Sequence, residues 1–202
     1  MTPLFFLPGA GASPLFWRPL GDRLPSDRPK TYFGWPGLGD QPPDPAVNSL
    51  DDLVALVEAR LGAEPVDLLA QSMGGVVAVK LALRRPDAIR RMVLSVTSGG
   101  VDAAARARAQ HDWRIDYRRD HPEAMHWITD DGIGDLTNEI PRIACPVLLL
   151  FGDADPISPP FVGERLAELL PHAELVVIPG GDHSLVANRV DEVLPLVERH
   201  LR

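Results

Sequence analysis

Cysteine is nearly absent from this sequence: Cys145 is the only one in 202 residues. A single thiol excludes an internal disulfide and any multi-cysteine metal site. Its place just before Pro146, at the start of an apolar run, reads as a structural thiol. Long apolar runs are missing too, and no stretch reaches membrane-spanning length. The apolar opening Pro3 to Leu7 has no basic flank and runs at once into Pro8, Gly9 and Gly11, so it reads as a strand and turn rather than a signal peptide. A cytoplasmic protein with no membrane contact is the expectation. Excess positive charge is also lacking. The formal net charge is −8, which excludes a general nucleic-acid binder, because affinity for a phosphate backbone rests on clustered Lys and Arg in a positive field. The arginines Arg106, Arg108, Arg114, Arg118 and Arg119 are interleaved with Asp112, Asp116 and Asp120, as on a solvated helix face.

What is present suits one globular domain over residues 1–202. Hydrophobic residues make up 45% and charged residues 24%, close to globular averages, and 17 Gly with 21 Pro stay below a disordered composition. Short apolar runs at Leu4–Leu7, Thr31–Phe33, Val66–Leu69, Met92–Val96, Val147–Phe151 and Leu175–Ile178 alternate with helical stretches such as Ser49–Leu61 and Ser72–Arg85. Ser49 and Asp52 form a capping-box-like start to the first of these helices. Each run reads as a strand buried on both faces. Alternation of this kind specifies an α/β fold: a mostly parallel sheet with helices on both faces and ligand-binding loops beyond the carboxyl ends of the strands. One stretch breaks the rhythm. Residues 98–140 carry helical patterning but no strand, and read as a short helical cap inserted into the domain.

Three segments carry chemistry. Leu68-Leu69-Ala70-Gln71-Ser72-Met73-Gly74-Gly75 reads as a strand end, a sharp turn and a helix start, with Ser72 at the tip and small Ala70 and Gly74 two residues to either side. Leu7-Pro8-Gly9-Ala10-Gly11-Ala12-Ser13 follows the first strand. Its spacing is not G-x-G-x-x-G, no P-loop Lys follows, and Pro14 interrupts the helix start, which argues against a nucleotide cradle. The backbone N–H groups of Ala10 and Met73 are instead suited to share one substrate oxyanion. The strand Leu148–Phe151 leads into Gly152-Asp153-Ala154-Asp155, and the next strand leads into Gly180-Gly181-Asp182-His183. A serine hydroxyl needs a base, and that imidazole needs a carboxylate to fix its tautomer. Ser72, Asp155 and His183 supply the set, in the chain order Ser, Asp, His. Asp153 and Asp102 are rival acids, although Asp153 beside Gly152 suits a turn and Asp182 a solvated site. His111, His121, His126, His172 and His200 read as ordinary structural or surface histidines, and no pair has metal-ligand spacing.

These segments resemble the α/β-hydrolase superfamily, in particular its small esterase, lactonase and acyl-transfer-related members, and the resemblance covers nearly the whole chain. Pro8-Gly9 stands where that family has His-Gly, Trp17 matches the aromatic after that loop, Trp35-Pro36-Gly37-Leu38-Gly39-Asp40 matches its Pro-Gly-x-Gly segment, and Gln71-Ser72-Met73-Gly74-Gly75 matches its elbow. Departures are Pro8 for His, Ala70 for Gly, a first strand too near Met1 for an opening hairpin, and a shortened cap. The resemblance implies Ser72 as nucleophile, His183 as base, Asp155 as acid, and Ala10 and Met73 as oxyanion donors. It further implies hydrolysis of a small-molecule carboxylic ester, lactone or thioester with no cofactor and no metal. Trp17, Trp35, Trp113 and Trp127 are candidate pocket residues. A lyase or cofactor-free peroxidase on the same scaffold and a non-catalytic binding protein are the alternatives. Oligomeric state is not legible.

Overall fold

The computed structural model describes residues 1–122, 128–129 and 134–202. Six strands form one sheet: β1 (Leu4–Leu7), β2 (Lys30–Tyr32), β3 (Val66–Gln71), β4 (Ile89–Ser95), β5 (Val147–Gly152) and β6 (Ala173–Ile178). Their order is β2-β1-β3-β4-β5-β6 and every pairing is parallel. Parallel neighbours require crossovers, and helices supply them: α1 (Arg18–Gly21), α2 (Leu50–Glu58), α3 (Met73–Arg84), α4 (Ala103–Gln110), α5 (Trp113–Asp120) and α6 (Pro160–Leu169), while α7 (Leu185–Asn188) and α8 (Val190–His200) follow the last strand.

Alternate strand residues feed two cores. Phe5, Leu7, Leu68, Ala70, Leu94, Leu149 and Phe151 pack with residues of α2, α3 and α6 on one face. Leu4, Phe6, Leu69, Val93, Leu148 and Leu150 pack with residues of α1, α7 and α8 on the other. The central strands are therefore covered on both sides, as their mostly apolar runs require. The two outer strands differ from that expectation. β2 is only half-buried along its length, and β6 is half-buried or exposed except at Ile178, because each has a strand on one side only and pairs no further.

Local signals explain several boundaries. Ser49 caps α2 by accepting from the Asp52 N–H at 3.2 Å, while the Asp52 carboxylate accepts from the Ser49 hydroxyl at 2.8 Å and the Asn48 N–H at 2.9 Å. The helix stops at Glu58 rather than Leu61, and Pro86 ends the stretch after α3. β3 runs two residues past its apolar core because Ala70 and Gln71 still pair with Leu94 and Ser95 of β4. At the opposite end of β3, the buried Asp67 side chain is held by Arg28 and Arg90, so a carboxylate inside the sheet is compensated by two guanidinium groups. The helices α4 and α5 occupy the crossover between β4 and β5, where no strand occurs among the described residues. Among those residues no helix is long and apolar enough to cross a membrane.

Candidate active site

Ser72 sits between β3 and α3 with φ 53° and ψ −123°. For a residue with a side chain this backbone region costs about 1–3 kcal/mol and persists only where neighbours enforce it. Those neighbours are visible. The Ser72 N–H donates to the Ser95 carbonyl at 3.0 Å, and the Thr97 hydroxyl donates to the Ser72 carbonyl at 2.6 Å. Small residues let the turn pack. A Cβ on Gly74 would stand 2.4 Å from the Leu7 carbonyl oxygen and 2.5 Å from that of Pro8, and one on Gly75 would meet Thr97 Oγ1 at 2.4 Å. The start of α3 can lie against the loop after β1 only because residue 74 is glycine.

A second close approach positions the candidate base and acid. A Cβ on Gly152, at the end of β5, would stand 2.0 Å from the Gly181 carbonyl oxygen, and Ala154 N–H donates to that same carbonyl at 3.0 Å. The loops after β5 and β6 are thus locked together. Across them, Asp155 Oδ2 lies 2.8 Å from His183 Nδ1, and His183 Nε2 lies 2.9 Å from Ser72 Oγ. The Asp155 side chain is fully buried, and its Oδ1 accepts from the Ile157 N–H at 2.8 Å. A carboxylate only accepts, so Nδ1 carries the imidazole proton and Nε2 presents its lone pair to the serine hydroxyl. Gln71 ties the end of β3 to the loop after β6, its side-chain amide donating to the His183 carbonyl at 2.9 Å.

The rival carboxylates are engaged elsewhere. Asp153 accepts from the Gly180 N–H at 2.6 Å and serves the turn. Asp102 caps α4 through the Ala103 N–H at 2.8 Å and meets the Arg165 guanidinium. Asp182 is exposed and accepts from the Ser184 N–H.

A cavity of about 760 Å³ opens over Ser72 and His183, between the loop after β1 and the helices α4 and α5. Ala10 and Met73 both line it. Met73 is the first residue of α3, so its N–H is among those with no acceptor one turn back, and the positive end of the helix dipole points the same way. Trp113 lines the cavity as expected. Trp17 and Trp35 do not: both are fully buried, and their indole N–H groups donate to the carbonyls of Leu7 at 3.1 Å and Pro8 at 2.8 Å. Their role is corrected from pocket lining to bracing the loop that carries Ala10. An indole paired with a backbone carbonyl keeps its polar edge satisfied inside a core. Trp127 and His126 lie outside the described residues. The arginine-rich stretch needs a correction as well, since Arg108 and Arg114 border the cavity instead of a wholly solvated face. Thr97 and Gln71 brace the backbone of Ser72 and His183 in a way that the sequence did not flag, because their partners are backbone carbonyls. Among the described residues, no group of three or more His, Cys, Asp or Glu is arranged to hold a metal ion.

The comparisons with known proteins agree with this architecture. The model of the Alpha/beta hydrolase family matches residues 4–196. The chain is 28% identical to the pimeloyl-(acyl-carrier protein) methyl ester esterase of Neisseria meningitidis, over 90% of this chain and 85% of that protein. It is 27% identical to the poly(3-hydroxyalkanoate) depolymerase of Ectopseudomonas oleovorans, over 100% of this chain and 85% of that protein. Among solved structures, a thermophilic esterase from Thermogutta terrifontis superposes with a TM-score of 0.76 at 22% identity, covering 100% of this chain and 90% of that one, a likeness that bears on the fold. With its six-stranded parallel sheet flanked by helices, the chain belongs to the alpha/beta hydrolase family.

Proposed function

We propose that this protein is a serine hydrolase that cleaves a carboxylic ester, lactone or thioester of a small substrate through an acyl-enzyme on Ser72. The observation that carries the reading is the unbroken hydrogen-bond chain from Ser72 Oγ through His183 to the buried Asp155, at 2.9 and 2.8 Å. His183 takes the hydroxyl proton as Ser72 attacks the carbonyl, then returns it to the departing alcohol or thiol. Water repeats the sequence on the acyl-enzyme, with His183 again as base. Asp155 fixes the imidazole tautomer and stabilises the imidazolium. The N–H groups of Ala10 and Met73 receive the oxyanion of each tetrahedral intermediate, each donor contributing about 3 kcal/mol. The helices α4 and α5 act as a cap over the cavity, and no cofactor takes part. The relatives named as esterases support ester hydrolysis in general.

The test is hydrolysis of p-nitrophenyl esters from acetate to dodecanoate, with the wild type beside Ser72→Ala, His183→Ala and Asp155→Asn, and fluorophosphonate labelling in parallel. Turnover and labelling by the wild type, with turnover lost in all three variants, are expected. Wild-type turnover in Ser72→Ala would sink the mechanism. A wild type that labels yet hydrolyses nothing favours a lyase or peroxidase reaction, and one that does neither favours a binding protein.

A further inference from the structure

Charged side chains are costly in a partly enclosed cavity unless each finds a partner. Around this one, the charges are mostly accounted for. Asp102 is met by Arg165 Nε at 3.1 Å. Arg114 forks onto Asp112, Nε to Oδ1 at 2.7 Å and a terminal nitrogen to Oδ2 at 2.8 Å. Asp135 is exposed at the rim, where its carboxylate accepts from the Thr137 N–H at 2.9 Å. Arg108 is the exception. It is half-buried and lines the cavity, yet among the described residues it has no hydrogen-bonded or ion-paired partner. The nearby carboxylate is that of Asp112, held below its usual pKa by Arg114 and then by the Arg108 charge, but both of its oxygens are already taken by Arg114.

The helix that carries Arg108 sharpens the point. The residues of α4 that border the cavity are Ala104, Ala105, Ala107 and Arg108. Three methyl groups leave space, and one long cation projects from the same side of the helix. A guanidinium presented this way matches a planar carboxylate through two parallel hydrogen bonds.

We propose that Arg108 is an anion-recognition residue for the substrate: the preferred ester carries a second, negatively charged group, a carboxylate in the simplest case, remote from the scissile carbonyl. This inference rests on the ester-hydrolase reading for the identity of the reacting bond, while the anion site itself depends only on Arg108 and the cavity. It names a substrate class, half-esters and other acidic esters, over their neutral counterparts.

The experiment compares kcat/KM for p-nitrophenyl hydrogen glutarate with that for its methyl-capped neutral diester, in the wild type, Arg108→Gln, Arg108→Lys and Arg108→Glu. The acid-to-neutral ratio is expected to exceed one in the wild type and to fall at least about tenfold in Arg108→Gln, the size of one charge-assisted hydrogen bond. Arg108→Lys should recover part of it, and Arg108→Glu should invert it. A ratio within about twofold of wild type in Arg108→Gln overturns the proposal, at the level where lost charge pairing is no longer resolved. If the wild type hydrolyses neither ester, the hydrolase reading fails, and the anion site is then decided by calorimetry. Monomethyl glutarate should bind the Ser72→Ala protein with a Kd at least about tenfold tighter than the Ser72→Ala, Arg108→Gln double variant. Equal affinities, or no binding to either, overturn it.

Discussion

The Thr97 hydroxyl donates to the backbone carbonyl of Ser72 at 2.6 Å, and it does so from a fully buried position next to a second strained residue. Val96, which precedes it, has φ 40°, a rare value for a β-branched side chain. Strain just past the end of β4 thus delivers the clamp that holds the strained Ser72 backbone. Thr97 does not line the cavity, so its effect on turnover has to travel through the Ser72 backbone. Thr97→Val keeps shape and removes the donor. It should lower kcat about tenfold with KM within about twofold, since the lost interaction positions the proposed nucleophile without touching substrate. The Ser72 carbonyl keeps its second donor, the Gly75 N–H at 2.9 Å, but the buried Gly99 N–H loses Thr97 Oγ1 as its acceptor, so stability should fall by about 1–2 kcal/mol, a melting-temperature drop of about 2–8 °C in a chain of this size. A variant that loses KM instead would place Thr97 in substrate binding.

Trp35 gives a sharper contrast between positioning and binding. Its indole N–H holds the Pro8 carbonyl at 2.8 Å, and the ring stacks on Phe33 with centroids 6.1 Å apart. Trp35→Phe removes the donor while keeping an aromatic ring in the core. The loop bearing Ala10 is then free to rotate its peptide groups, and kcat for p-nitrophenyl esters should drop roughly tenfold, less than the loss from deleting an oxyanion donor outright. The order of preference across acyl chain lengths should stay as in the wild type, because the ring never meets the acyl group. A changed chain-length order would restore Trp35 to the pocket.

These two residues also mark where sequence reading stops. The central strands were legible because Leu148–Phe151 is apolar at every position and Val66–Leu69 at every position but Asp67, a pattern that burial on both faces requires. The turn at Ser72 was legible because Ser72 is bracketed by residues that must be small, and the close approach of Gly74 to Leu7 and Pro8 is the reason. The candidate triad was legible from three loop positions in a fixed chain order. Trp17 and Trp35 were misassigned because an aromatic beside a catalytic loop looks the same in sequence whether its ring faces the cavity or its N–H faces a carbonyl. Thr97 and Gln71 gave no signal for a related reason: each acts on a backbone group across a long sequence separation, and backbone acceptors carry no residue identity. Arg108 was read with its neighbours as solvated, since alternating charges mimic a surface helix, and only the packing of α4 against the cavity distinguishes it.

Cys145 supplies a pH-dependent test of the fold. Burial of its thiol beside the start of β5, with a smaller push from Asp67, raises the pKa from 9.0 to about 11. The folded protein therefore holds this proton more tightly than the unfolded chain. Between about pH 9 and 11 the unfolded chain ionises first, so this thiol lowers stability as pH rises through that window and has no such effect below it. Tyr32 and Tyr117, raised chiefly by burial, act in the same direction near and above pH 10, which is why the wild type alone is not informative. Cys145→Ala leaves both tyrosines in place, so the difference between the two proteins isolates the thiol. The guanidinium unfolding midpoint of the wild type should fall further than that of Cys145→Ala on going from pH 8 to pH 10.5, with a constant offset between them below pH 8.5. The same burial predicts slow reaction of the native thiol with a maleimide at pH 8, because little thiolate is present and the sulfur is shielded; denaturation should release it to react at the ordinary rate. Parallel pH curves for the two proteins, or rapid native labelling, would show that the thiol is solvated in the folded chain.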